Sequence, residues 1–276
     1  MNDVLYKPRT LGPREAQVLA WLETDRPAVV DVAAVSVAVG ISREHARTLV
    51  WRLERKGWLQ RLTRGRYEPL LGESGGWSAP NPWATLDGWV RPHYVSFASA
   101  AHELGLTPDR PGEVQVATVH GAILAPRMAQ AGVRLVRLRR FTLAGSDERE
   151  LHGHKVRLAG VERCVLDSAS HLDLAGGALG LSRILARAHE GMDWALYVGM
   201  AGELPRGPRA MRRVGALLEI LGVDAPPALR HAAGGTHRTP IQLDDGPALE
   251  EDAPVLGAWG VMLNVSPAAI REEVQR

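Results

Sequence analysis

The clearest pattern of apolar and polar positions lies in residues 41–70. Over residues 43–56 the apolar side chains recur at spacings of three and four, which is typical of a helix with one buried face. These apolar positions are Ala46, Leu49, Val50 and Leu53. Ser42 can cap the helix, because its hydroxyl oxygen can accept a hydrogen bond from an unpaired backbone N–H. Gly57 follows the helix, where glycine tolerates a left-handed conformation best.

Two short strands are predicted after this helix, and two further helices are predicted before it. Residues 58–62 and 66–70 are predicted as two strands joined by a turn at residues 63–65, which makes a β-hairpin. Residues 11–23 and 32–39 are predicted as two earlier helices, although the β-branched residues of the second also suit a strand. Three helices followed by a hairpin are typical of a winged helix-turn-helix domain, in which the hairpin is the wing.

The second half of the chain mixes helical and strand patterns without strict alternation, so we expect an α+β fold class. Its predicted helices cover residues 97–104, 161–172, 179–190, 193–200 and 209–221. Its predicted strands cover residues 113–119, 133–138, 155–158 and 257–265, and residues 121–131 fit a short helix or a loop. Ser96 is predicted to cap the first of these helices.

Composition divides the 276 residues into two domains. We expect a winged helix-turn-helix domain at residues 1–71, a Gly/Ser/Pro-rich linker at 72–82, and a larger mixed domain at 83–276. The formal net charge is only +2, and the residues after the first seventy are slightly acidic. The basic character therefore belongs to the first domain.

The positive charge is concentrated on residues 41–70, where eight basic residues stand against three acidic ones. Such a surface suits a phosphate backbone, because binding releases condensed counterions; a solvated helix face is the plain alternative. The candidate DNA-binding residues are Ser42, Arg43, Glu44, Arg47, Thr48, Arg52, Arg55, Arg61, Arg64 and Arg66. Of these, Arg43, Glu44, Arg47 and Thr48 are expected near base edges in the major groove. Trp51 and Trp58 are expected to pack.

Four phrases resemble the AbiEi family of type IV antitoxins and related transcriptional regulators, and three of them occur in family order across the second domain. The phrases are GWLQRLTRGRYEPL at 57–70, YVSFASAAHELGLT at 94–107, VRLAGVERCVLDSASHLDLAGG at 156–177, and RRVGALLEILGV at 212–223 with a later strand from Trp259 to Asn264. The resemblance covers about residues 10–265.

This resemblance implies a repressor whose winged helix binds inverted repeats of double-stranded DNA in its own promoter, with two copies per operator. It also implies a second domain that counteracts a nucleotidyltransferase-like toxin, although members of this group also occur as lone regulators. No catalytic residues are implied. The expected location is the cytoplasm, because no signal peptide and no membrane-spanning apolar run are recognisable.

The remaining candidate chemistry is weaker. His152 and His154 have a spacing that allows a metal pair on a strand, but no third ligand is recognisable, and an exposed hairpin turn is the simpler interpretation. An acidic cluster at residues 244–252 leaves a metal-dependent nuclease as an alternative function. No cofactor, metal or enzymatic activity is expected. A domain that docks another protein is a further alternative.

Three further sets of residues in the second half of the chain have candidate roles. Arg137, Arg139 and Arg140 are candidates for an additional basic surface, which would bind DNA, RNA or an acidic partner; a solvated strand edge fits them equally well. Arg163 and Asp167 have the four-residue spacing of a helical ion pair. The single cysteine, Cys164, is expected to be a buried, unreactive thiol.

Overall fold

The computed structural model describes residues 11–25, 27, 29–70, 81–88, 92–119, 128–129, 131–235, 239–246 and 253–275. The chain forms two compact units. Unit 1 comprises Met1–Arg91, Pro126–Gly132 and Glu150–Val156, and unit 2 comprises Pro92–Ala125, Val133–Arg149 and Arg157–Arg276. Helices and strands are mixed without strict alternation, so the predicted α+β class is confirmed. None of the helices in the described ranges has the length and apolar character needed to cross a bilayer.

Unit 1 contains the predicted succession of three helices and a hairpin, with one short strand that the pattern did not predict. Its elements are α1 Pro13–Asp25, β1 Val30–Asp31, α2 Val32–Val39, α3 Arg43–Arg55, β2 Leu59–Thr63, β3 Arg66–Pro69 and α4 Pro82–Gly88. The three strands form one antiparallel sheet in the order β1-β3-β2. The added strand β1 pairs Val30 with Tyr67 and Asp31 with Arg66.

Capping explains why residues 32–39 are helical despite their β-branched side chains. Asp31 Oδ1 accepts a hydrogen bond from Ala34 N–H at 2.7 Å, which satisfies a donor that the first turn leaves unpaired. At the other end Gly40 adopts φ 63°, and its N–H binds the carbonyl of Val37 at 3.3 Å. The two caps fix a helix of only eight residues, too short for intrinsic propensity to stabilise by itself.

The core of unit 1 forms where the three helices meet the sheet. Its members are Val18, Leu19, Leu22, Val30, Val35, Ala46, Leu49, Val50, Leu53, Leu59 and Tyr67. Leu22 and Leu53 have no solvent-exposed surface, so burying each side chain stabilises the unit by about 2–3 kcal/mol. This core holds α3 against α1 and α2 by one face and leaves its opposite face open.

The end of the hairpin is tied to the beginning of α4. Glu68 Oε1 accepts a hydrogen bond from Asn81 N–H at 3.0 Å, and Glu68 Oε2 accepts one from Thr85 Oγ1 at 3.3 Å. Trp83 stacks on His152 with ring centroids 4.6 Å apart. Unit 1 therefore extends past α4, whereas the sequence placed the boundary before Trp83. Most of the predicted linker 72–82 lies outside the described residues.

A five-stranded mixed sheet has the order β6-β5-β4-β8-β7, and most of its residues belong to unit 2. Its strands are β4 His93–Val95, β5 Val114–Thr118, β6 Val133–Arg137, β7 Ser146–Leu151 and β8 His154–Ala159. A turn at His152 and Gly153 joins β7 to β8, so the hairpin turn predicted for His152 and His154 is present. Strand β7 was not predicted. The segment 121–131, predicted as helix or loop, lies almost entirely outside the described residues.

Helices and a small sheet make up most of the rest of unit 2. The helices are α5 Phe97–Glu103, α6 Val161–Ser170, α7 Gly177–Ala188, α8 Trp194–Glu203, α9 Gly207–Leu221, α10 Pro227–Ala233 and α11 Pro267–Gln275. A small sheet orders the strands β9 Ile241–Gln242, β10 Val255–Leu256 and β11 Val261–Met262 as β10-β11-β9. The strand predicted over residues 257–265 is therefore shorter, because a turn at residues 257–260 separates β10 from β11.

A buried polar network joins α6 to β4. Arg163 Nε donates to both carboxylate oxygens of Asp167 at 3.0 and 3.1 Å, which confirms the predicted ion pair. Tyr94 OH and Ser96 Oγ also donate to Asp167, at 2.9 and 2.8 Å. Ser96 stands at the beginning of α5, but its side chain makes no capping bond. The predicted capping role of Ser96 is therefore wrong, because its hydroxyl is directed towards the buried carboxylate of Asp167.

Candidate nucleic-acid interface

Helix α3 presents one apolar and one charged face. Ala46, Leu49, Val50 and Leu53 are buried. The predicted DNA-binding residues of the helix are all exposed: Arg43, Glu44, Arg47, Thr48, Arg52 and Arg55. The structure therefore brings the six together on the solvent side of one helix of 13 residues, about 20 Å long.

Ser42 acts as the cap of this helix. Its Oγ accepts a hydrogen bond from His45 N–H at 3.3 Å and lies 2.9 Å from His45 Nδ1. The cap leaves the side chain exposed. Thr48 is engaged in a similar way, because its Oγ1 donates to the carbonyl of Glu44 at 3.3 Å. Both hydroxyls therefore have intramolecular partners that a ligand would have to replace or share.

Trp51 belongs to the exposed face, which corrects the expectation that it packs. Its side chain is 51% exposed, and the guanidinium of Arg55 lies 4.9 Å from its ring centroid. Helical phase explains the position: Glu44, Thr48, Trp51 and Arg55 follow one another at spacings of four, three and four, along a single line. The same phase was readable in the sequence, since residue 51 falls outside the apolar stripe. Trp58, in contrast, packs against the core as expected.

Lys56 points away from this face, although it contributes to the basic sequence run. Its Nζ lies 2.6 Å from Glu15 Oε2 of α1. Burial raises the pKa of Glu15, but the hydrogen bond from Lys56, the N–H of Gly12 and the charges of Lys56 and Arg52 outweigh it, and the pKa is lowered. Lys56 is therefore a tether between α1 and α3.

The hairpin carries the other three candidates. Arg61, Arg64 and Arg66 are exposed, and Arg64 occupies the tip with Gly65, whose φ of 80° suits glycine. The pairing register shifts between Arg61 and Thr63, which is a bulge in β2. Bulges increase the local twist of a hairpin and re-aim its side chains. Nine predicted DNA-binding side chains are thus exposed on α3 and the hairpin: seven arginines, Thr48 and one carboxylate, Glu44.

In unit 2, the two described aspartates of the acidic cluster at residues 244–252 make structural contacts. Asp244 Oδ2 accepts a hydrogen bond from Ala178 N–H at 3.1 Å, at the beginning of α7. Asp245 pairs with Arg213 at 2.5 Å. Glu250, Glu251 and Asp252 lie outside the described residues. Within the described ranges no group of three His, Cys, Asp or Glu side chains is arranged to hold a metal ion.

Cys164 is buried in α6, as expected. Burial raises the pKa of its thiol well above the ordinary range, with the charge of Asp167 as a second cause. A thiol in this environment is a poor nucleophile. Arg137, Arg139 and Arg140 are exposed in unit 2, at and beyond the end of β6, where they line one wall of a cavity.

Comparison with known proteins supports the fold but adds no function. No protein-family model matches the chain, and no curated protein matches it either. The crystal structure of the RV2827C protein from Mycobacterium tuberculosis is similar, with a TM-score of 0.72 over 97% of each chain. The two sequences are 17% identical, so the likeness concerns the fold alone.

Proposed function

We propose that this protein binds double-stranded DNA through α3 and the β2–β3 hairpin and represses transcription from its own promoter. In this proposal unit 1 is a winged helix-turn-helix domain, α3 is its recognition helix and the hairpin is its wing. Two copies occupy an inverted repeat, one on each half-site. The protein acts in the cytoplasm.

The observation that carries the proposal is the exposure of the arginines on α3 and the hairpin. An amphipathic helix needs polar residues on its outer face, but solvation alone does not require them to be arginines. A guanidinium binds phosphate with two parallel hydrogen bonds and can pair in the same way with the O6 and N7 atoms of guanine. Glu44 sits among these arginines and can accept a hydrogen bond from the N4 amino group of cytosine.

Individual residues have distinct roles in this proposal. Arg43 and Arg47 lie in the first half of α3, the part of a recognition helix that enters the major groove. Arg64 at the hairpin tip contacts phosphate or the minor groove. Contacts to phosphate fix the orientation of the protein, whereas contacts to base edges provide sequence discrimination. Arg55, held over Trp51, extends the surface towards the end of the helix.

The resemblance to the AbiEi antitoxins leads to the finer part of the proposal. Unit 2 would then counteract a nucleotidyltransferase-like toxin whose gene lies beside the gene of this protein. Where no toxin gene is adjacent, the protein would be a lone regulator. The phrases that carry the resemblance supply the buried framework of unit 2, including Tyr94, Arg163 and Asp167. A toxin-growth assay, with and without co-expression of this protein, separates the two versions.

A mobility-shift assay with DNA from the protein's own promoter tests the DNA-binding proposal. The wild-type protein is expected to shift this DNA at nanomolar to micromolar concentration. Replacing Arg47 and Arg64 together with alanine should abolish the shift, because one cation is removed from each half of the surface. Both side chains are exposed, so the thermal unfolding midpoint should not change.

A matched control removes two exposed arginines from unit 2. Arg149→Ala with Arg187→Ala lowers the net charge by the same amount but leaves α3 and the hairpin intact. The control should shift promoter DNA as the wild type does. Unchanged binding by the Arg47/Arg64 variant would overturn the proposal, and equal losses in both variants would reduce it to non-specific attraction between charges.

A further inference from the structure

A cavity of about 350 Å³ lies within unit 2, near the end of β6 and between α6 and α8. Its lining residues are Arg137, Leu138, Arg139, Arg140, Asp167, Ser170, His171, Leu204, Pro205 and Arg206. This volume falls in the range of small-molecule pockets, about 300–1,000 Å³. Four of the ten lining residues are arginines, a composition that apolar packing does not account for.

The guanidinium groups of these four arginines have no carboxylate partner among the described residues. Arg140 Nη1 donates to the carbonyl of Glu203 at 2.9 Å, and Arg206 Nη1 donates to the carbonyl of Ser170 at 3.1 Å. These backbone bonds position the two side chains without neutralising them. The side chains of Arg137 and Arg139 make no hydrogen bond or ion pair with the described residues. Four arginines without a carboxylate partner therefore line one cavity.

Asp167 is the only carboxylate among the described lining residues, and it already has a cationic partner. It pairs with Arg163 and also accepts hydrogen bonds from the hydroxyls of Tyr94 and Ser96. The four arginines of the lining outnumber this single, paired carboxylate. The arginines therefore dominate the field, and the cavity favours an anion.

The other lining groups add shape and hydrogen-bonding capacity. Leu138, Leu204 and Pro205 provide an apolar wall. Ser170 is 92% buried, and its hydroxyl has no hydrogen-bond partner among the described residues. Buried hydroxyls normally have a partner, so a ligand that reaches Ser170 would supply one.

His171 also lines the cavity. Its Nδ1 lies 3.3 Å from the carbonyl of Asp167, a contact that requires the proton on Nδ1. Burial lowers the pKa of His171, and the charge of Arg206 lowers it further. A neutral ring with its proton on Nδ1 leaves Nε2 to accept a hydrogen bond from a hydroxyl or amino group of the ligand.

We propose that this cavity binds a nucleoside phosphate, with its phosphate groups on the arginines and its base against Leu138, Leu204 and Pro205. Guanidinium groups bind phosphate oxygens by paired, charge-assisted hydrogen bonds. A bare phosphate would use the arginines but not the apolar wall or the His171 acceptor. The inference concerns unit 2 alone and does not depend on DNA binding by unit 1.

Isothermal titration calorimetry on the full chain, without divalent cations, tests the proposal. The probes are pyrophosphate, the four ribonucleoside triphosphates and the corresponding nucleosides without phosphate. At least one triphosphate should bind more tightly than both pyrophosphate and its own nucleoside. The exposed pair Arg137→Gln and Arg139→Gln should weaken binding of that triphosphate at least about tenfold, since each change removes a charge-assisted hydrogen bond to phosphate.

The control variant Arg149→Gln with Arg187→Gln removes two exposed arginines that do not line the cavity, and it should bind the triphosphate as the wild type does. Absence of binding by every probe would overturn the proposal. Equal weakening in the control would also overturn it, because net charge would then explain the affinity. Loss of promoter binding by the Arg137/Arg139 variant, with triphosphate affinity unchanged, would assign these arginines to DNA instead.

Discussion

Two tryptophans seven residues apart in unit 1 have opposite environments. Trp51 lies on the exposed line of α3 beside Arg55, whereas Trp58 packs against the core. A half-exposed aromatic ring in the middle of a cationic helix face gains little stability from its position. In a DNA complex the same ring would cover apolar parts of the groove, such as thymine methyl groups.

We predict that Trp51→Ala weakens binding of promoter DNA about five- to fiftyfold, because a contact worth about 1–2 kcal/mol is lost in the complex. The thermal unfolding midpoint should stay within about 2 °C of the wild-type value, since the free protein loses little. Fluorescence anisotropy with labelled DNA and differential scanning calorimetry measure the two effects. Trp58→Ala should do the opposite, by lowering the midpoint several degrees. A Trp51→Ala protein with normal affinity would remove this residue from the interface.

The buried Arg163–Asp167 pair supports a second prediction. Arg163 has no exposed surface, and Asp167 is 2% exposed. Asp167→Ala should reduce the free energy of unfolding by about 3–5 kcal/mol, because it leaves a buried guanidinium without its counter-charge. Urea denaturation followed by circular dichroism measures the loss. The double change Arg163→Met with Asp167→Leu should be less destabilising than Asp167→Ala, and a larger loss would contradict the charge explanation.

Single residues were predictable from the sequence only where their partners are close in the chain. The Arg163–Asp167 pair follows from a spacing of four on a helix. Tyr94 and Ser96 reach the same carboxylate across 73 and 71 positions, and no local pattern connects them. Ser96 was therefore predicted to cap its own helix, the only partner that local reasoning could offer it.

At the scale of elements, the junction of β3 and α4 makes stability depend on pH. Burial raises the pKa of Glu68 to about 7, although the hydrogen bonds from Asn81 and Thr85 oppose the increase. The folded protein therefore holds this proton more tightly than the unfolded chain, whose carboxyl has a pKa near 4.5. Binding of this proton therefore adds to the free energy of unfolding. The added stability is fully present below pH 4.5 and is lost as the pH rises to about 7.

We predict that Glu68→Gln removes this loss. The stability of the wild type relative to Glu68→Gln should fall by on the order of 2–3 kcal/mol between pH 4.5 and 7.5, and should be constant at higher pH. Urea denaturation at several pH values measures the difference. Glu23→Gln, at an exposed position of α1 in the same unit, should follow the wild-type profile. Parallel profiles for the wild type and Glu68→Gln would contradict a raised pKa.

Elements with strong periodicity were predictable, and weakly patterned ones were not. Helix α3 and the hairpin were recognisable because an apolar stripe, a cap and a glycine turn agree in position. Strand β7 was missed, since Ser146–Leu151 is mostly charged and exposed and lacks an apolar alternation. Helix α11 buries only Ile270, which gives no stripe. Strand β1 has two residues and exists only because β3 pairs with it.

At the scale of the whole molecule, the nearly neutral net charge conceals an uneven distribution. In unit 1 the exposed arginines are concentrated on α3 and the hairpin, and in unit 2 four exposed arginines line one cavity. The basic run of residues 41–70 was visible in the sequence. The cavity was not, because its arginines and apolar lining residues come from two segments, 137–140 and 204–206, that lie about 70 positions apart in the chain.

The salt dependence of DNA affinity tests the central claim, that α3 and the hairpin bind a phosphate backbone. Anisotropy titrations between 50 and 300 mM salt should give a steeply negative slope of log affinity against log salt concentration, about 0.9 for each phosphate neutralised. Arg64→Gln should make this slope shallower by about one, and Arg149→Gln should leave it unchanged. A wild-type slope near zero, or one that Arg64→Gln does not alter, would contradict the claim.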